Sequence, residues 1–200
     1  VRLHDMTKMH TNSITNGGQD EFIKLVCPDD KKPLQHTSTA KLKCEHCGQH
    51  FEIRNNIGRF VGEIESGQQQ VLDCFDFKWN RDSWGFAEEH KKVMGAFFRD
   101  RFLFASENQV KEFFSGKTVL HAGVGNGHDE QYYLHHCKEV WGADISTSVD
   151  ALRVNWSTNY PSLAKRFKVC QADLMSLPFE DGSFDIVLSD GVLHHTPNTF

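Results

Sequence analysis

The chain has 200 residues, of which 38% are hydrophobic and 24% charged, with a formal net charge of −5. Those proportions suit a soluble, cored protein of one domain plus a small appendage. They exclude a bilayer-spanning helix, because no apolar run approaches the roughly 20 residues required, and the negative balance does not indicate nucleic-acid binding. Residues 1–20 are polar, without periodicity, and read as a flexible leader. From 21 to 62 the text is compact and cysteine-bearing, and its short alternating runs between Pro, Gly and Asn predict a few small strands. The stretch 63–115 reads as a connector followed by a helical region. Residues 63–82 form the connector, and the apolar positions Phe86, Val93, Phe97 and Phe98 recur at helical spacing beyond it.

After Gly116 the pattern alternates. T-V-L-H-A at 118–122 predicts a buried strand, G-V-G-N-G at 123–127 a tight loop, and 129–136 a helix. Residues 139–144 predict a second strand. Ser146 or Thr147 should cap a helix through about Trp156, with Asp150 completing a capping box with Thr147. Residues 167–173 and 184–190 predict a third and a fourth strand. Strands alternating with helices mean βαβ units and a parallel sheet. The fold class expected is therefore α/β. The first residue, Val1, and an end at Phe200 soon after the fourth strand predict a fragment that lacks its C-terminal part.

The six cysteines are too few and too uneven for a disulfide framework. Cys44 and Cys47 make a C-x-x-C pair with Cys27 upstream, whereas Cys74, Cys137 and Cys170 stand singly. This usage fits a reducing compartment, with the cytoplasm as the default expectation.

Glycines closely following a strand let backbone N–H groups approach a ligand, and Gly123, Gly125 and Gly127 have that placement. Asp144 ends the second strand. A carboxylate there can take both hydroxyls of a ribose, or simply an acid can favour the start of the next helix. Asp173 ends the third strand, where open α/β sheets collect ligand contacts, although a solvated turn residue would look the same.

Taken together with F-E-D-G-S-F-D-I-V-L-S-D-G-V-L-H-H-T-P-N, these elements resemble class I S-adenosylmethionine-dependent methyltransferases, in particular the ubiquinone/menaquinone-type group, over roughly 115–200. The resemblance implies a Rossmann-like methyltransferase sheet, incomplete at its first four strands, within a domain at 116–200. It implies S-adenosylmethionine as cofactor. Gly123, Gly125 and Gly127 would line its methionine part, Asp144 would hold the ribose with Ile145 on the adenine face, and Asp173 and Leu174 would meet the adenine edge. Asp190 would face the point where donor and acceptor meet, and His195 is a candidate for positioning the acceptor. The function implied is methyl transfer by in-line displacement to an acceptor of unidentified class.

The family has an acid where this chain has His121. A working site would then predict that His121→Asp preserves or tightens cofactor binding.

Cys27-Pro28-Asp29-Asp30 and Cys44-x-x-Cys47-Gly48 resemble the two knuckles of zinc ribbons that precede or partner methyltransferases. Asp30 stands where a four-thiolate ribbon has cysteine. Cys27, Asp30, Cys44 and Cys47 could close a tetrahedral zinc site, with His46 or His50 as a substitute fourth ligand. The alternative is a degenerate ribbon held by its strands and by Phe51 and Ile53. In either form this small N-terminal β module is structural or binds a protein partner.

Two rivals remain. A dinucleotide-dependent oxidoreductase needs a small residue at 128, where His128 stands. A non-catalytic, methyltransferase-like adaptor would keep the scaffold and bind no cofactor. Phe75, Phe77 and Trp79, with Arg81 and Trp84, either pack structurally or fold over the donor site as a lid.

Overall fold

The computed structural model describes residues 25–62, 64, 66–81 and 86–196. The expected leader at 1–20 and Trp84 lie outside them. Four short strands come first: β1 Leu34–Ser38, β2 Lys41–Cys44, β3 His50–Arg54 and β4 Ile57–Arg59. They pair in sequence as antiparallel neighbours. The turn between β3 and β4 places Asn55 and Asn56 at φ 56° and 59°. Asparagine tolerates this left-handed region better than most residues, and two such positions make the turn that suits strand twist.

Helices α1 Ser66–Arg81, α2 Glu88–Arg101 and α3 Glu107–Phe114 follow. The expected connector at 63–82 is thus largely helical. Then come β5 Thr118–Ala122, β6 Glu139–Asp144, α4 Ser148–Asn159, β7 Phe167–Gln171 and β8 Ile186–Leu188. β7 and β8 fall inside the longer runs expected at 167–173 and 184–190.

All eight strands form one sheet in the order β1-β2-β3-β4-β7-β6-β5-β8. The second half, β7-β6-β5-β8, is parallel. β4 joins it by parallel pairing with β7, Gly58 opposite Cys170 and Arg59 opposite Gln171. The small N-terminal strands are therefore continuous with the Rossmann-like sheet.

Strand periodicity divides the core between two faces. Val119, Val140, Phe167 and Val169 pack with Phe98, Phe114, Tyr133 and Trp156 on the face covered by α2, α3 and α4. Leu120, Trp141, Ala143 and Cys170 pack on the other face with Cys27, Leu42, Cys44, Phe51 and Phe60 from the small module. The module and the parallel strands thereby share one apolar cluster.

Two local expectations need correction. Residues 129–136 form two short 3-10 turns, Asp129–Tyr132 and Leu134–His136, rather than a continuous helix. Tyr133 at φ −136° separates them, while Asp129 and Glu130 are tied to Arg101 and His121. Nor is there a Thr147–Asp150 capping box, since Thr147 makes no side-chain cap. Its N–H and hydroxyl instead donate to Asp76 Oδ1 of α1, at 2.6 and 3.0 Å. The acid that serves the start of α4 comes from another helix.

Asp150 is used elsewhere. It accepts from Arg59 Nη2 at 2.7 Å and from Asn55 at 3.0 Å. Burial works against its charge, but these bonds and the guanidinium outweigh it and hold the carboxyl below its ordinary range. Arg59 is itself buried and also donates to Gln171 Oε1 and Arg54 O. Arg59→Ala is expected to cost about 1.5–3 kcal/mol in urea denaturation, the range for hydrogen bonds to charged groups. A change no larger than that of an ordinary surface substitution would mean that this contact does not hold module and sheet together.

Candidate functional site

The strand order places a switch point between β5 and β8: the chain leaves β5 for β6 on one side and returns as β8 on the other. Ligand crevices open there, beyond the C-terminal ends of the strands. A cleft lies at this place, and Gly123, Asp144, Ile145, Asp173 and Leu174 line it. So do Asp190 and His195. Gly125 and Gly127, expected beside the ligand, are absent from the lining.

The three glycines have separate reasons to be glycine, although all have positive φ, at 84°, 55° and 74°. A Cβ on Gly123 would meet Val192 Cγ2 at 2.2 Å, across the cleft wall. One on Gly125 would meet the Trp79 ring at 3.2 Å. One on Gly127 would meet Leu152 at 2.7 Å and Phe167 at 3.1 Å, inside the core. Gly127 is a packing residue, and its carbonyl accepts from Trp156 Nε1 at 2.7 Å.

Asp144 is held from two sides. Oδ2 accepts from Gly125 N at 2.8 Å, and Oδ1 accepts from Ser146 N and Oγ at 2.9 and 2.6 Å. These bonds fix the carboxylate against the glycine loop. A carboxylate offers about four acceptor positions, so one remains open. Asp173 caps the 3-10 turn Leu174–Ser176 by accepting from Met175 N at 2.9 Å. It is therefore a turn former and a cleft residue at once.

On the opposite wall, Arg101 donates from one nitrogen to Asp129 Oδ2 at 2.7 Å and lies 2.8 Å from Asp190 Oδ2 with the other. The pair neutralises Asp190 and ties α2 to the end of β8. The His195 ring sits edge-on to Phe75, with centroids 5.0 Å apart. Leu72, Phe75 and Trp79 of α1 also line the cleft. The aromatic segment thus divides, for Phe77 points outward with 65% exposure. Leu72 and Val192 were not legible as cleft residues, because nothing local in a single sequence marks an apolar side chain as wall rather than core.

His121 faces away from the expected role. Its Nδ1 lies 2.5 Å from Glu130 Oε1, which also accepts from Tyr133 Oη at 2.9 Å, and all three residues are buried. Burial works to discharge both members. Their mutual attraction prevails, so the imidazole is held above its ordinary pKa and the carboxyl below its own. The acid missing at 121 has a counterpart at 130, nine residues on. An aspartate at 121 would face that buried carboxylate, so His121→Asp carries a cost to the fold that the expectation about cofactor binding did not include.

In the N-terminal module, ligand atoms of Cys27, Asp30, Cys44 and Cys47 all lie within 4.8 Å of one another. The Cys27 and Cys47 sulfurs are 3.6 Å apart, and the Cys44 sulfur is 3.5 Å from each Asp30 oxygen. Tetrahedral zinc, with Zn–S near 2.3 Å and Zn–O near 2.0 Å, requires separations of ~3.5–3.8 Å. The donor set fits such an ion. Burial opposes charge on Asp30, but donors from Lys32 N, His46 and the thiols keep its carboxyl well below the ordinary range. His46 Nδ1 lies 2.8 Å from Asp30 Oδ2, so it supports that ligand from outside, and His50 is not part of the cluster.

A parallel sheet with its cleft at the switch point defines a Rossmann-like α/β protein. Residues 120–199 match the methyltransferase domain family, and residues 25–56 match the Trm112p-like protein family. One stretch of the chain is thus similar to Trm112p-like proteins and another to methyltransferase domains. Among solved structures it is similar to the YcgJ protein of Bacillus subtilis, with 23% identity over 46% of this chain and 40% of that one, at a TM-score of 0.40. It is similar to magnesium protoporphyrin IX methyltransferase of Synechocystis PCC 6803, at 20% identity over 68% and 67% of the two chains and a TM-score of 0.48. A Haloferax volcanii complex containing the Trm112 methyltransferase activator also matches, at 21% identity over 62% and 50%, with a TM-score of 0.41. The chain spans 40% and 42% of the lengths of the first two solved chains it matches. Among the described residues no helix is long and apolar enough to cross a membrane.

Proposed function

We propose that the cleft binds S-adenosylmethionine and that the protein directs transfer of its methyl group to an acceptor held on the Asp190 and His195 side. One observation carries the reading: the glycine after β5 and the carboxylates after β6 and β7 line one cleft at the switch point. The methyltransferase-domain match supports the same reading. Gly123 would leave room for the methionine part, Asp144 would receive a ribose hydroxyl at its open acceptor position, Ile145 would lie on the adenine, and Asp173 with Leu174 would meet its edge.

The cofactor would bring a methyl group on a positively charged sulfur. What the chain contributes is placement, because aligning nucleophile, methyl and sulfur supplies most of the acceleration for such a displacement. Asp144 suits this task, since its bonds to Gly125 and Ser146 fix it before any ligand arrives. Asp190 is braced by Arg101, and His195 is set to orient an acceptor or to take its proton if one must leave. Cys27, Asp30, Cys44 and Cys47 would hold zinc in a closed, structural site. The module's β4 is already paired with β7, so the first partner this module meets is the methyltransferase domain of its own chain.

Calorimetry with S-adenosylhomocysteine tests the reading. The full chain should bind it at micromolar concentration, and Asp144→Asn should weaken binding about tenfold or more, as loss of a charged acceptor implies. Absence of binding by the unaltered chain would favour the adaptor.

A further inference from the structure

The candidate metal site and the cofactor cleft meet at one loop. Residues 172–179 leave β7, supply Asp173 and Leu174 to the cleft, and then run against the first knuckle of the module. Val26 N donates to Pro178 O at 2.9 Å, and Lys31 Nζ donates to Leu177 O at 2.6 Å. Ser176 Oγ donates to Pro28 O at 3.2 Å, and Leu25 bridges to Phe179 as an isolated antiparallel pair. The sulfur ligands share this environment. Cys27 and Cys44 are fully buried in the cluster that contains Ala172 and Phe179, against which Leu174 and Leu177 pack.

The knuckle itself is a tight turn. Cys27 N donates to Lys32 O and Lys31 N to Cys27 O, with Lys31 at φ 57°. An ion at Cys27, Asp30, Cys44 and Cys47 would lock that turn to the second knuckle. Without it, polar ligand atoms crowded within 4.8 Å lose the charge that draws them together, and the turn is released.

We infer that the first knuckle is a positioning element for the cofactor cleft, so that metal occupancy of the Cys27, Asp30, Cys44 and Cys47 site sets cofactor affinity through the 173–179 loop. The inference rests on the cofactor reading above. It concerns one side of the cleft only. Asp144 and Gly123 are held by the glycine loop and β6, so an ion-free chain should keep the ribose and methionine contacts and lose order at the adenine edge. Linkage makes the effect reciprocal, so cofactor should tighten metal binding by the same factor.

The experiment uses the full chain loaded with zinc, and the same chain stripped by phenanthroline with zinc content measured. S-adenosylhomocysteine affinity is read by calorimetry and loop order by amide hydrogen exchange. The stripped chain should bind about tenfold more weakly, within the usual range of coupling between sites. Exchange should quicken across 173–179 and stay unchanged in β5, and added zinc should restore both. Lys31→Met combined with Ser176→Ala removes the two side-chain hydrogen bonds of the connection while leaving the ligands in place. That variant should keep its zinc, bind several-fold more weakly, and show the same quickened loop, with Lys31→Arg restoring the first contact.

Equal affinity and equal loop protection with and without zinc would overturn the inference. If stripping also exposes β5, the whole chain has loosened and the double variant decides; parental affinity and protection in it would overturn the inference too. Failure of the zinc-loaded chain to bind S-adenosylhomocysteine would instead sink the cofactor reading, and loop exchange would still report whether knuckle and loop are coupled.

Discussion

His121→Asp is expected to lower the unfolding free energy by about 3–5 kcal/mol at neutral pH, the usual cost of breaking a buried ion pair from one side. In the parent protein Glu130 is buried and has His121 at 2.5 Å. The substitution removes its cation and adds a second carboxyl beside it. One of the two must then take up a proton, so the variant should regain stability as the pH is lowered. The parent behaves differently. His121 is held above its ordinary value of about 6.5, so its contribution is complete below that pH and fades as pH rises through the folded-state value. Glu130 is held below its ordinary value of about 4.5, so its contribution is present above that pH and fades as acid titrates the folded carboxyl. Urea denaturation at several pH values measures both limbs. Parent-like stability of His121→Asp near neutrality would show that the pair carries no charge.

The second large effect separates two glycines of one motif. Gly127→Ala should destabilise the fold by about 2–5 kcal/mol, adding strain at positive φ to an overfilled core. Its new methyl would press on Leu152 and Phe167, both buried. Gly123→Ala also suffers at φ 84°, and its methyl would lie 2.2 Å from Val192 Cγ2, so the half-buried Val192 must move at the cleft wall rather than in the core. It should cost about 1–2 kcal/mol of stability and most of the binding of S-adenosylhomocysteine. Thermal unfolding and calorimetry on the two variants should rank them in opposite orders. The same order in both measurements would mean that the loop acts only as a structural turn.

This division could not be read from the spacing of the glycines. The text at 119–127 shows that three residues must do without a Cβ, and it is silent on what each would strike. The strands β5 to β8 were legible because buried parallel strands read as short apolar runs between breakers, and Asp144 and Asp173 because they stand where those runs end. The metal cluster was legible for a similar reason: C-x-x-C spacing fixes two ligands locally, and Cys27 with Asp30 mirrors it. Helix α1 was missed. Its text, with Gly67 and three glutamines, has weak helical character, and contacts of Leu72, Phe75, Asp76 and Trp79 with distant residues hold it in place. The Glu130 partner of His121 was hidden likewise, because a pair across a loop leaves no periodic trace.

The pairing of β4 with β7 also bears on how the chain acquires its shape. Arg59 and Gln171 are 112 positions apart, so that edge of the hairpin module stays open until β7 has left the ribosome. Contacts of such long range form slowly, and a bare strand edge invites pairing with other chains in the interval. The nascent hairpin module is therefore the part with most to gain from a chaperone, and chains interrupted before Phe167 should be the ones that aggregate.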